Sequence, residues 1–499
     1  MSENRPGREP GKPPASSAPT EPTALATERR TTRKAVTAAA IGNATEWYDF
    51  GVYSYLAVTI GLVFYPSQSQ GVQLIATFTT FAAAFLVRPL GGLFFGPLGD
   101  RIGRKHVLAF TMMLMAVSTF CIGLIPSASA IGITAPILLL VARMLQGFST
   151  GGEYGGATTF IAEYSPDERR GFLSSWLEFG TVSGYVGGAA IVTAMTLLLG
   201  PDTMLAWGWR IPFLLALPLG AVGLYLRFKL EETPVFTDSA EHTAGFAKDS
   251  QGRRRRGQLR ATVIGQWRNM LLCVGLVLVF NVNNYMVTAY MPTYLETELG
   301  YTPTTALVLT LAAMVVMLVA VTGFGRLSDR VGRRPVLLSG SLFSVVLTLP
   351  AFWLLQSGNL VGVSLGIVVL AITLVHFSGA APATLPAFFP THVRYGALAI
   401  GFNISVALFG GTTPLIAESL VQSTGNPYSP AWLVMAAGVI GTVVVWRMKE
   451  SAGRPLPGAP AIPVPEHVPG GTRLPYPRPN GEGGARVPPS NVRRLPSDP

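Results

Sequence analysis

The sequence predicts an all-α membrane protein with twelve transmembrane helices in two six-helix bundles. Three observations carry that expectation: repeated apolar stretches, a basic charge pattern confined to alternate connections, and a loop that recurs in the second half. The chain has 499 residues, 49% hydrophobic and only 13% charged, with mean hydropathy +0.42. A soluble domain of that size needs many more charges to keep its surface wet.

The apolar stretches fall near 35–64, 73–97, 106–126, 134–160, 171–199, 208–228, 268–295, 304–326, 335–356, 360–388, 394–420 and 428–447. Each approaches or exceeds the roughly 20 residues needed to cross a bilayer, and the longer ones imply tilt. Before the first lies a polar tail, 1–33, with no apolar core of a signal peptide. The six-helix bundles occupy 34–228 and 268–448, joined by a polar loop at 229–267. After them, 449–499 is rich in Pro, Gly and Arg without a heptad pattern, and reads as a second disordered tail.

Basic residues mark one side. The even-numbered connections carry Arg101, Arg104 and Lys105, then Arg169 and Arg170, Lys248 with Arg253, Arg254, Arg255 and Arg256, Arg326 to Arg334, and Arg394. Odd-numbered connections such as 66–72, 126–134 and 356–361 carry none. This positive-inside pattern places both termini in the cytoplasm of a bacterial plasma membrane. It also explains the net charge of +11 without a nucleic-acid partner. The run Arg253 to Arg256 is either a binding place for anionic headgroups or a plain topogenic loop. Cys121 and Cys273 sit in apolar runs, and the five histidines form no ligand cluster, so no metal is expected.

The stretch from Gly96 through Asp100, Arg101, Gly103 and Arg104 recurs from Gly325 through Asp329, Arg330, Gly332 and Arg333. Asp100 and Asp329 are separated by the same interval as Gly103 and Gly332. Each copy joins the second and third helix of its half, so the repeat divides the chain into two equivalent bundles with a site between them. An Asp in both copies exceeds what a topogenic loop requires. The pair reads as an ion-pair latch formed in one state and broken in the other.

This loop resembles the signature loop of the major facilitator superfamily. Within it, the chain resembles the metabolite:proton symporters over about 34–449. The resembling stretches run from Gly42 to Gly51, Arg88 to Gly92, Gln146 to Tyr154, Trp207 to Phe213, Leu230 to Pro234 and Phe389 to Tyr395. These are shared with carriers of 2-oxoglutarate, citrate and shikimate, whereas Asn281 to Tyr285 and Gly401 to Ser405 are more like the proline and glycine betaine carriers. The resemblance implies a proton-driven importer of small zwitterions, with no cofactor beyond the proton gradient and no enzymatic activity. Long members of that branch end in a coiled coil, which is replaced here by a Pro-rich tail.

Ionisable residues at helix depth are costly and usually functional. Glu46 and Asp49 stand three apart on one helical face, and two like charges in low dielectric favour holding a proton between them; the other reading is that one of them pairs with a basic residue and stays ionised. Arg143 lies in a stretch whose resemblance implies a part in proton transfer; it could equally be the counter-ion of Glu153 or Glu178. Arg88, next to Pro89, reads as a snorkelling cation. Tyr154, Trp176, Tyr285 and Tyr290 could present rings to a quaternary ammonium, or could simply pack. Asn281, Asn283 and Asn284 are expensive in an apolar segment and suggest cavity lining or a helix break, and the resemblance adds Asn403. Two other readings remain open: a carrier of an organic acid, and a non-transporting membrane sensor. The absence of a GxxxxGK loop disfavours ATP-driven transport.

Overall fold

Apolar residues that cannot be satisfied by water force the chain into helices, because only helices satisfy every backbone group within their own segment. In a computed structural model, residues 21–66, 68–102, 104–151, 153–231 and 265–458 are described. Arg253 to Arg256 and the tail beyond residue 458 lie outside them, as does Gly103. The first six helical segments are α1 (Glu21–Tyr55 continued by Ala57–Phe64), α2 (Gln70–Ile102), α3 (Arg104–Leu124), α4 (Thr134–Ser149 and Glu153–Tyr164), α5 (Arg170–Thr203) and α6 (Arg210–Leu214 and Ala216–Glu231). The second six are α7 (Trp267–Tyr285, Met286–Tyr290, Met291–Thr297), α8 (Pro303–Val331), α9 (Arg333–Val346 and Thr348–Leu355), α10 (Leu360–Thr384), α11 (Thr391–Ser405, Val406–Gly410, Thr413–Thr424) and α12 (Ser429–Arg447). The helix α1 begins at Glu21, inside the stretch expected to be a disordered tail. Ala24, Ala26, Glu28, Arg29, Arg30 and Lys34 are good helix formers, and they extend the span outward.

Prolines explain the irregular turns. Wide π turns at Met204–Gly208, Met286–Tyr290 and Val406–Gly410 each precede a proline: Pro212, Pro292 and Pro414. A proline has no N–H for the carbonyl four residues earlier, and its ring crowds that carbonyl. In each case that carbonyl belongs to the π turn, at Gly208, Thr288 or Gly410.

Outward-facing side chains are apolar: Leu198 is 76% exposed and Val319 77%. Exposed tryptophans gather at both ends of the bundle. Trp207, Trp353 and Trp432 are near one end, while Trp267 and Trp446 are at the end bearing the duplicated Asp loops. Two such belts are what a bilayer with two interfaces selects. Inside, α1 packs on α5 and α2 on α4, with α9 on α12 in the second half. The halves meet where α5 crosses α8 and where α2 meets α11.

Candidate functional site

The closest crossing in the first half builds the site. A Cβ on Gly91 would lie 2.8 Å from the Phe148 carbonyl carbon, and one on Gly147 would lie 2.8 Å from the Ala84 Cα. Only glycine allows α2 and α4 this near, and the approach sets Arg88 and Arg143 on facing helices beside α1. Arg88 is 2% exposed, and its Nη2 donates to Glu46 Oε1 at 2.8 Å. Its guanidinium lies 4.6 Å from the Phe50 ring, 4.7 Å from Phe85 and 5.5 Å from Trp47. The snorkelling reading of Arg88 is therefore corrected. Glu46 and the rings hold it inside, because an unpaired cation at this depth has no solvent to reach.

Arg143 is fully buried, with its guanidinium 4.0 Å from the Tyr53 ring and 5.3 Å from Phe50. It donates to Gln146 Oε1; Gln146 Nε2 donates to Thr119 Oγ1 at 3.0 Å, and that hydroxyl donates to Asp49 Oδ2 at 3.0 Å. Thus Arg143 connects to Asp49 through two neutral groups rather than pairing with Glu178. Glu178 instead accepts from the Tyr154 hydroxyl at 2.6 Å. Glu153 opens the second part of α4.

Aromatic rings from both halves complete the centre. Tyr285 of α7 stands 5.3 Å from Phe85 and 6.1 Å from Trp47, while Tyr185 of α5 is 5.4 Å from Trp47. Several donors are buried without a partner among the described residues: Arg88 Nε, Arg143 Nε and Nη2 and Tyr285 OH in this centre, and Asn281 Nδ2 one turn before Tyr285. Such unmet donors are expensive unless a ligand or water satisfies them. The same centre thus offers donors to an anionic group and ring faces to a cationic one.

The remaining candidates scatter. Tyr154 stacks on Phe402 at 4.0 Å, and Asn403 Nδ2 donates across the halves to the Gly151 carbonyl at 2.9 Å. Asn284 is buried on α7. Asn283 donates to its own helix at Val279 and accepts from Ser344. Trp176 is half-buried against Phe172 and Phe179 of its own helix, away from the central rings. Sequence reasoning overlooked Trp47, Phe50, Phe85 and Tyr185. The signal for the first two was available, since Trp47 and Phe50 flank Glu46 and Asp49 in one turn.

At the Asp-loop end, Asp329 of α8 faces the first turn of α5. Its Oδ1 accepts from the Gly171 N–H at 2.7 Å and its Oδ2 from the Phe172 N–H at 2.8 Å. Arg333 Nη2 stands 3.8 Å from Oδ1. The arrangement is a helix N-terminus closed by a carboxylate from the other half. Nearby, Arg394 Nη1 donates to Glu163 Oε1 at 2.5 Å, again across the halves. In the first copy Gly96, Asp100 and Arg101 lie on α2 and Arg104 opens α3. Gly332, with φ 111°, makes the turn from α8 into α9, and Arg330 lies in the last turn of α8.

Two packed bundles around a buried charged and aromatic centre define a multi-pass membrane transporter. The family model for sugar (and other) transporters matches residues 35–462, and the chain belongs to that family of the major facilitator superfamily. It is 50% identical over 427 residues to the glycine betaine/proline/ectoine/pipecolic acid transporter OusA of Dickeya dadantii (strain 3937), covering 86% of this chain and 85% of that protein. To the proline/betaine transporter of Escherichia coli (strain K12) it is 49% identical over 428 residues, with the same coverage. The structure of the proton:xylose symporter XylE bound to 6-bromo-6-deoxy-D-glucose superposes with a TM-score of 0.67 at 19% identity, over 86% of this chain and 98% of that one. That likeness is one of fold.

Proposed function

We propose that this chain imports small zwitterions, proline and glycine betaine among them, together with protons by alternating access. The observation that carries the reading is the Arg88–Glu46 pair inside a cage of Trp47, Phe50 and Phe85, closed from the other half by Tyr285. A substrate carboxylate would take the unmet donors of Arg88 and Arg143, and its ammonium would lie against the rings. Glu46 and Asp49 are the proton carriers in this reading, with Arg143 coupled to Asp49 through Gln146 and Thr119. Glu153 and Glu178 would tune the same step. The names of the relatives at about half identity support the substrate class. The basic connections support cytoplasmic termini in a bacterial inner membrane.

Counterflow in proteoliposomes tests the reading. Proline and glycine betaine should inhibit each other's uptake, with citrate and 2-oxoglutarate inert, and a protonophore should stop accumulation. Glu46→Gln or Asp49→Asn should abolish accumulation while sparing exchange. Uptake of dicarboxylates with betaine ignored, or accumulation that depends on sodium, would overturn it.

A further inference from the structure

The end of the bundle opposite Asp329 carries a buried acid that the central site does not use. Glu418, on the last part of α11, is 0% exposed and makes no ion pair among the described residues. Its Oε2 accepts from the Tyr290 hydroxyl of α7 at 3.1 Å, and its Oε1 accepts from Gln422 Nε2 at 2.9 Å. Gln422 then meets the other half. A Cβ on Gly71, in the first turn of α2, would lie 2.5 Å from the Gln422 Cδ. The Tyr290 ring likewise faces Phe78 of α2 at 5.9 Å. Gln422 is itself exposed and could swing away from such a neighbour, but its Nε2 is held by the buried Glu418 carboxyl, which fixes where the rest of the amide lies.

We infer that Glu418 is a positioning residue for a gate at this end: it aims the Gln422 amide at Gly71, and that contact seals α11 against α2. The inference rests on the transport reading above, which makes this end the outer one. Glycine at 71 is the counterface, because any side chain would displace the amide. Gln422 and Tyr290 share one acceptor, so α7 and α11 close on α2 together rather than separately.

The test uses the full-length chain with Cys121 and Cys273 replaced by serine and a reporter thiol at Phe78→Cys, a position 0% exposed in this closed arrangement. An impermeant maleimide is added from outside to intact cells. Glu418→Ala and Gly71→Val should each raise labelling about tenfold, the loss of roughly one charge-assisted hydrogen bond from the closed state. Glu418→Gln keeps an acceptor for Gln422 and should stay within about twofold of the parent. Gln422→Ala should raise labelling as Glu418→Ala does, and combining the two should raise it no further than either alone, a coupling that general misfolding does not produce. Labelling at the parent rate in both Glu418→Ala and Gly71→Val, in protein that still exchanges solute, would overturn the inference. Labelling as expected in a chain that ignores proline and betaine would sink the substrate reading and leave the gate standing.

Discussion

Gly171 and Gly396 occupy the same place in the sequence repeat, near the starts of α5 and α11, yet their surroundings differ. A Cβ on Gly171 would lie 2.5 Å from Ser328 Oγ, 2.6 Å from Asp329 Oδ1 and 2.7 Å from the Gly325 carbonyl oxygen. A Cβ on Gly396 would meet nothing within 4 Å among the described residues beyond its own helix. The repeat in the sequence predicts two equal latches. The structure packs the α5–α8 crossing closely at Gly171, whereas Gly396 on α11 has room for a side chain among the described residues. Duplicated glycines therefore do not imply duplicated contacts.

The largest expected effect breaks that asymmetry directly. Gly171→Val drives a side chain into backbone on α8 and should reduce uptake more than ~10-fold, since backbone cannot swing aside. Gly396→Val should leave uptake within about twofold. Equal losses at comparable surface expression would mean that the second crossing closes as tightly during the cycle. Next comes Asp329→Asn. Its amide oxygen can still accept, but its NH2 cannot, so one of the two N–H groups at the start of α5 loses its partner together with the charge. A cap of this kind contributes about 1–2 kcal/mol, so the open-to-closed ratio at that end should shift roughly tenfold. Cysteine accessibility at the Asp-loop end reads the shift, with solute affinity little changed. A change in affinity without a change in accessibility would count against a latch.

Much of this was legible in the residues. Segment number follows from patterns that a bilayer imposes on any chain, and the two-fold repeat is written in the recurring loop. The central site was half legible. Glu46, Asp49 and Arg143 announced themselves by charge, since burying a charge demands a partner. Arg88 did not, because a cation next to a proline near a helix end fits snorkelling equally well until the Gly91–Gly147 crossing pulls it inward. Trp176 and Tyr285 looked alike as aromatic residues in apolar runs. Only the packing of α7 against α1 and α2 separates the ring in the centre from the ring on its own helix.

The segment after α12 was not legible at all as structure, and it supplies the next, smaller prediction. Glu450 caps the first turn of α9: its Oε2 accepts from Arg334 N–H at 2.9 Å and its Oε1 from Arg333 at 3.1 Å, with Ser451 and Ala452 N–H each at 2.8 Å. Burial pushes the carboxyl up, but the combined donation from Ala452, Arg334, Arg333 and Ser451 prevails and holds it below the usual carboxylate range. A depressed value means the cap is fully present above the unfolded pKa of about 4.3 and is lost as pH falls through the folded one. Protection of the Arg333 and Arg334 amides from hydrogen exchange should therefore be flat from about pH 5 to 8, after correction for intrinsic rates. Glu450→Ala should raise their exchange severalfold at pH 7. Protection that declines between pH 7 and 5 would assign the cap to another group.

The smallest effect concerns where the tail begins. The composition places the boundary at 449, but the chain remains tied to both halves up to Gly458. The Arg454 carbonyl accepts from Arg170 Nη1 at 3.0 Å in the first half. The Pro457 carbonyl accepts from Arg394 Nη2 at 2.7 Å and from the Thr391 N–H at 3.1 Å in the second. Leu456 is buried. Residues 451–458 are mostly proline, glycine and other small residues, with Arg454 and Leu456 among them, so no periodicity marks the strap; backbone carbonyls do the binding, and sequence composition is silent about carbonyls. Truncation after residue 458 removes none of these contacts and should leave uptake within about 20% of the full chain. Truncation after 455 strips acceptors from Arg394, a buried cation whose other partners are Glu163 and two carbonyls. Losing one of several acceptors of a paired cation costs about 1 kcal/mol, so the shorter chain should lose roughly half to four-fifths of its uptake at equal expression. If both truncations behave alike, the strap beyond residue 455 holds nothing that the cycle uses.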